Sequence, residues 1–162
     1  MTVENKILDC LECANLIEGE ELIIRNSIIK RIDFDIFVFS GKVLVERCII
    51  EDFKIHATWF KEGLVFRNNL VSNYIDYQCG GHNDKPIVLE GNVFSGFFNF
   101  FDCQFDSVLL VKNNVFLQGS NLLGNENEGF RNLFENGHVV ENNMGTLNRG
   151  GMGIFEEPNF EK

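Results

Sequence analysis

Proline is nearly absent, with 2 in 162 residues, while phenylalanine is abundant at 17. That balance suits β-strands and excludes a disordered chain. Basic residues are also few: 14 Lys and Arg stand against 24 Asp and Glu, for a net charge of −10. An acidic surface argues against nucleic acid or an anionic membrane as the main partner. No apolar run approaches the ~18 residues needed to span a bilayer. Residues 1–15 lack a basic stretch followed by an apolar one, so no signal peptide is expected. The five cysteines (10, 13, 48, 79 and 103) are odd in number and fit no disulfide framework. Together these absences favour a reducing compartment, the cytoplasm. What remains is 44% apolar residues in a chain suited to one domain, 1–162.

One phrase recurs six times: three apolar residues, a charge, a small or polar pair, then an apolar residue. The copies begin at Leu22, Val43, Leu64, Ile87, Leu109 and His138, in steps of 21, 21, 23, 22 and 29. A period near 22 residues marks a solenoid whose coils stack to bury one continuous core. The charge in each copy reads Arg25, Glu46, Arg67, Glu90, Lys112, Glu141, alternating in sign. If the copies are neighbouring parallel strands, these side chains lie roughly 4.8 Å apart. Opposite charges then meet at every step, which favours in-register stacking.

Strand side chains alternate faces. Leu22, Val43, Leu64, Ile87 and Leu109 are placed inside, with Ile24, Val45, Phe66, Leu89 and Val111 beside them, and the charges point out. The turn after each charge carries Ser27, Cys48, Asn69, Asn92, Asn114 and Asn143. Asparagine tolerates left-handed backbone, and stacked Asn side chains can bond one another from rung to rung. The Arg67-Asn68-Asn69-Leu70, Lys112-Asn113-Asn114-Val115 and Glu141-Asn142-Asn143-Met144 copies resemble the repeat of right-handed parallel β-helix proteins, the pectate lyase-like superfamily. The resemblance covers about 20–148. It implies an all-β, right-handed, single-stranded parallel β-helix of five to six coils with an asparagine ladder of Asn69, Asn92, Asn114 and Asn143.

The organisation expected is an N-terminal cap over 1–19, coils over 20–148 and a tail over 149–162. Ile7, Leu8, Leu11, Leu16 and Ile17 have loosely helical spacing, so the cap is read as a helix, with an incomplete first coil as the alternative. The Asn-, Gly- and Glu-rich stretch 119–137 reads as a protruding inserted loop. In the tail, Ile154, Phe155 and Phe160 are expected to dock across the last coil.

Ile23, Leu44, Val65, Val88, Leu110 and Val139 fall between the inward positions and should face out. Six such side chains form an apolar stripe roughly 25–30 Å long. Cover by the N-terminal segment or by the insertion is one account, a dimer or lateral partner interface is another, and a ligand groove is a third.

Candidate chemistry is sparse. The lyases of the superfamily use calcium-holding acidic residues with a catalytic Arg or Lys, and its polygalacturonases carry His-Gly and Arg-Ile-Lys signatures. This chain has Gly81-His82 in the reverse order and Arg31-Ile32-Asp33, so neither signature is present. Eight positions after the turn residue lie Asp35, His56 and Tyr77, a column in which a carboxylate could orient an imidazole for acid–base work. The second half of each coil is aromatic, and Trp59, Phe60, Phe98 and Phe100 are candidates for a platform that stacks on sugar rings. The Cys79-Gly80-Gly81-His82-Asn83-Asp84 loop has metal-type donors but no second cluster, and Cys10-x-x-Cys13 stands alone, so no metal site is assigned. No cofactor is expected. The function expected is a non-enzymatic structural or interaction module that forms a homo-oligomer through the apolar stripe. The alternatives are a carbohydrate-binding domain and a small polysaccharide lyase or hydrolase.

Overall fold

The copies of the phrase lie side by side as parallel strands. The structure is a computed structural model and describes residues 1–13 and 16–153. Every named element in it is a strand, and the strands wind as a parallel β-helix of about five turns.

The first sheet has seven strands: Thr2–Glu4, Leu22–Arg25, Val43–Glu46, Leu64–Arg67, Ile87–Glu90, Leu109–Lys112 and His138–Glu141. All pair in parallel and in register, so the charged positions form one ladder. Arg25 Nε lies 3.4 Å from Glu4, Arg67 reaches Glu46 at 2.7 Å, and Lys112 reaches Glu141 at 3.0 Å. The first and third positions of each copy point inward. Leu22, Ile24, Val43, Val45, Leu64, Phe66, Ile87, Leu89, Leu109 and Val111 are all buried.

The second sheet follows round the corner with six strands: Ile7–Glu12, Ile28–Asp33, Ile49–Lys54, Leu70–Val71, Val93–Phe94 and Val115–Phe116. The corner itself is a one-residue left-handed kink. Asn26, Arg47, Asn68, Gly91, Asn113 and Asn142 have φ of 51°, 54°, 55°, 66°, 57° and 55°. The kink therefore falls one residue before the Asn column, not on it. Asparagine there tolerates the left-handed backbone, and the column residue is left extended and inward.

The column residues form a closed hydrogen-bond ladder. Asn69 Nδ2 donates to Asn92 Oδ1 at 3.2 Å, Asn92 to Asn114 at 2.9 Å, and Asn114 to Asn143 at 3.0 Å. The second N–H of each amide goes to a backbone carbonyl: Val45, Phe66, Leu89 and Val111 in turn. Each Oδ1 also accepts the backbone N–H of the preceding column residue, starting at Cys48. Asn69, Asn92 and Asn114 are fully enclosed, and this network satisfies every polar atom of their side chains.

The helix expected over 1–19 is not formed. Thr2–Glu4 and Ile7–Glu12 pair with Leu22–Arg25 and Ile28–Asp33, giving the incomplete first coil. The helical-looking spacing has a structural cause. Strands of the second sheet kink at their middle, so residues three apart both point inward: Ile29 with Ile32, Ile50 with Phe53, and Leu8 with Leu11. Met1 to Ile7 is thus a further copy of the phrase, 21 residues before Leu22.

The third side of the coil is built from short pairs, Val38–Phe39 with Trp59–Phe60 and Gln104–Phe105 with Leu133–Phe134, linked through Gly81, while Ile75–Asp76 pairs with Phe98–Asn99 beside the end of Ile49–Lys54. Inside it, rings stack along the axis, Phe39 on Phe60 at 5.2 Å and Phe105 on Phe134 at 5.5 Å, while Phe98 stacks on Phe100 of its own coil at 4.1 Å. The insertion 119–137 is only partly a protrusion. Its start is wall, with Ser120, Asn121 and Leu122 buried, and Leu133–Phe134 rejoins the coil. The docking expected of Ile154, Phe155 and Phe160 lies outside the described residues.

Candidate functional site

The column Asp35, His56, Tyr77 is not assembled. Trp59 aligns with Gly81, so coil three has gained a residue relative to coil two by this point. A one-residue slip turns a side chain to the other face. Tyr77 therefore joins the buried column of Phe34, Ile55 and Phe100. Its hydroxyl accepts the N–H of Gly81 at 3.2 Å, and burial pushes its pKa well above the usual phenol value. Asp35 accepts the backbone N–H of His56 at 2.7 Å and does not orient the ring. His56 Nδ1 instead lies 3.2 Å from Asp76 Oδ2. Asp76 is held in turn by Asn99 Nδ2 at 2.9 Å and the N–H of Gln78 at 3.1 Å, and Asn121 donates to Asn99 at 2.7 Å. This is a short polar ladder along an outer edge.

The aromatic platform is dismantled as well. Phe60, Phe98 and Phe100 lie in the core, at most 2% exposed. The interior holds more rings than the width of a coil suggested, because they stack along the axis. Trp59 alone is half-buried at the surface, with its ring against His82 at 4.5 Å and Lys61 Nζ 5.5 Å from its centre.

The Cys79–Asp84 loop is shaped by packing. A Cβ on Gly81, which has φ of 98°, would strike the Gln104 carbonyl, and one on Gly80 would strike the Tyr77 ring. Among the described residues no three His, Cys, Asp or Glu side chains converge as metal ligands. Cys48 and Cys103 are buried, and Cys48 takes the Asn position in its coil. Cys13 donates weakly to the Asp33 carbonyl at 3.5 Å, and burial pushes its thiol up to about 12. Thiolate chemistry there is suppressed.

The outer faces carry the remaining candidate. Ile23, Leu44, Val65, Val88, Leu110 and Val139 stand in register on the first sheet, each half-buried. Neither proposed cover reaches them. The N-terminal strand Thr2–Glu4 extends their sheet at its edge, and the insertion packs on the third side, Phe130 stacking on Phe101 at 4.2 Å.

A second ladder lies round the corner. Because the Asn column points inward, the residue after it points out: Ile7, Ile28, Ile49, Leu70, Val93 and Val115, with Met144 bridged to Val115. Ile7 is 82% exposed, Ile28 49%, Ile49 50%, Leu70 39% and Met144 67%. A shallow depression of about 500 Å³ lies among Ile7, Ile28, Ile49 and Ser72, edged by Asp9, Lys30 and Glu51. An apolar centre with a charged edge is the build of a protein–protein contact. Sequence reasoning missed this ladder although its signal was present. Once the Asn column is placed inside, alternation sends the following residue outside.

No protein-family model, curated protein or solved structure matches this chain.

Proposed function

We propose that this protein is a non-enzymatic interaction module that self-associates side by side, a small member of the pectate lyase-like β-helix superfamily without its catalytic apparatus. The observation that carries the reading is the register-aligned aliphatic ladder Ile7, Ile28, Ile49, Leu70 on the second sheet, far more exposed than the neighbouring stripe. Contiguous apolar surface of this extent on a parallel sheet is costly in water and favours burial against a partner. The stripe from Ile23 to Val139 supplies a second patch across the charged ridge. The superfamily assignment is supported by the parallel coils and the asparagine ladder.

Native mass by light scattering behind size exclusion, over a tenfold concentration range, tests the reading. The expected result is a species at or above twice the 18.6 kDa chain mass. Ile28→Lys with Ile49→Lys should return it to a monomer with unchanged circular dichroism, and Val65→Glu should weaken it less. A wild type that stays monomeric throughout sinks the proposal.

A further inference from the structure

The charge ladder of the first sheet has seven members: Glu4, Arg25, Glu46, Arg67, Glu90, Lys112 and Glu141. An alternating series of odd length ends on the sign with which it began. The strands that hold its ends, Thr2–Glu4 and His138–Glu141, are the edge strands of that sheet among the described residues. Open parallel edges are templates for another strand. A second copy stacked in the same register would continue the sheet and set Glu141 of one molecule against Glu4 of the next, roughly 4.8 Å apart. Like charges directly opposite are destabilising.

The buried column gives an independent second reason. From Asn69 to Asn114 each column residue donates its backbone N–H and one side-chain N–H to the Oδ1 of the next Asn. Repeating that pattern beyond Asn143 needs an oxygen acceptor on the following rung. The first rung offers Lys6, which occupies the place aligned with Ser27. An ammonium has three donors and no acceptor. Stacking would therefore set donors against donors and bury a charge without a partner.

We infer that the two ends of the helix form a latent head-to-tail interface between copies of this chain, held shut by the Glu4–Glu141 clash and by Lys6 in the asparagine column. Association is thereby steered to the sides. The inference goes beyond the side-by-side reading and does not depend on it. A head-to-tail contact does not close on itself, so releasing the block yields filaments.

The test is the double variant Glu4→Gln/Lys6→Asn, with the wild type and an Ile28→Lys/Ile49→Lys background run beside it. The variant should gain on the order of tenfold or more in end-to-end association, read as a mass that keeps rising with concentration and as filaments by electron microscopy. The lateral background should filament equally once the end substitutions are added. Wild type should form no filaments at low salt. Because Glu4→Gln also loses the Arg25 contact, Glu141→Gln is made in parallel at the opposite end and should raise the association by itself. Folded variants that keep the wild-type mass at every concentration overturn the inference, as do wild-type filaments at low salt. A monomeric wild type whose end variant polymerises sinks the side-by-side reading alone.

Discussion

The two halves of each coil are held by different physics. From the first sheet through the corner, hydrogen bonds fix the register: backbone ladders, the alternating charges and an asparagine column with every amide engaged. On the third side, strands shrink to two-residue pairs and the contents are stacked rings. The first half keeps its register through every coil. The second half takes two extra residues in coil three and a long insertion in coil five. Directional bonds specify position, whereas apolar packing specifies volume. A solenoid needs only one side to be strictly periodic for its coils to stack.

That contrast can be broken by substitution. Phe100→Ala should cost about 3–5 kcal/mol in denaturant unfolding, the largest effect expected, because it opens a void between Phe98, Tyr77 and Phe105. The volume-conserving Phe100→Met should cost less than about 1.5 kcal/mol. In the ladder the near-isosteric Asn92→Leu should still cost about 2–4 kcal/mol, since it strips partners from the Asn69 N–H, the Asn69 amide and the Phe66 carbonyl. If Phe100→Met and Asn92→Leu cost the same, the distinction between the halves fails.

A smaller effect sharpens the account of the charged ridge. Glu46 is buried, and its carboxyl is held below the usual range chiefly by the hydrogen bond from Arg67, with Arg47 and Arg25 adding to it and burial opposing. A carboxylate with a depressed folded pKa contributes stability that is present above its unfolded pKa and is lost as pH falls through the folded value. Unfolding free energy should therefore decline on acidification below about pH 4.5, with part of the loss due to this group. Glu46→Gln should remove that part of the slope. A variant with the same acid slope as wild type removes Glu46 from the ridge's stabilising charges.

Much of this fold was legible in the sequence. The inward columns, the charge ladder and the asparagine column follow from a repeat of the right period together with the two-residue alternation of a strand. The first coil was hidden because the kink at the middle of Ile7–Glu12 brings Leu8 and Leu11 to one side and so imitates helical spacing. The candidate site was read less well. Asp35 and His56 do adjoin, but through the backbone of His56, and Asp76, which faces its ring, was outside the column considered. Phe60, Phe98 and Phe100 were assigned outward because their stacking inside the core, Phe60 on Phe39 of the neighbouring coil and Phe98 on Phe100 of its own, cannot be read from residue types alone.

The sequence alone determined that like positions stack on like, because a fixed period and alternating sides leave the apolar columns no other way to be buried together. Only the tertiary structure decided which face each side chain takes after an insertion. One extra residue shifts the faces of the side chains that follow it within the coil, and the position of that residue is set by the neighbouring rung. The same holds for the exposed ladder from Ile7 to Met144. Its residues are apolar in any reading, and alternation sends them outward only once the column residue before each is placed inside, as the structure places Ser27, Cys48 and the asparagines.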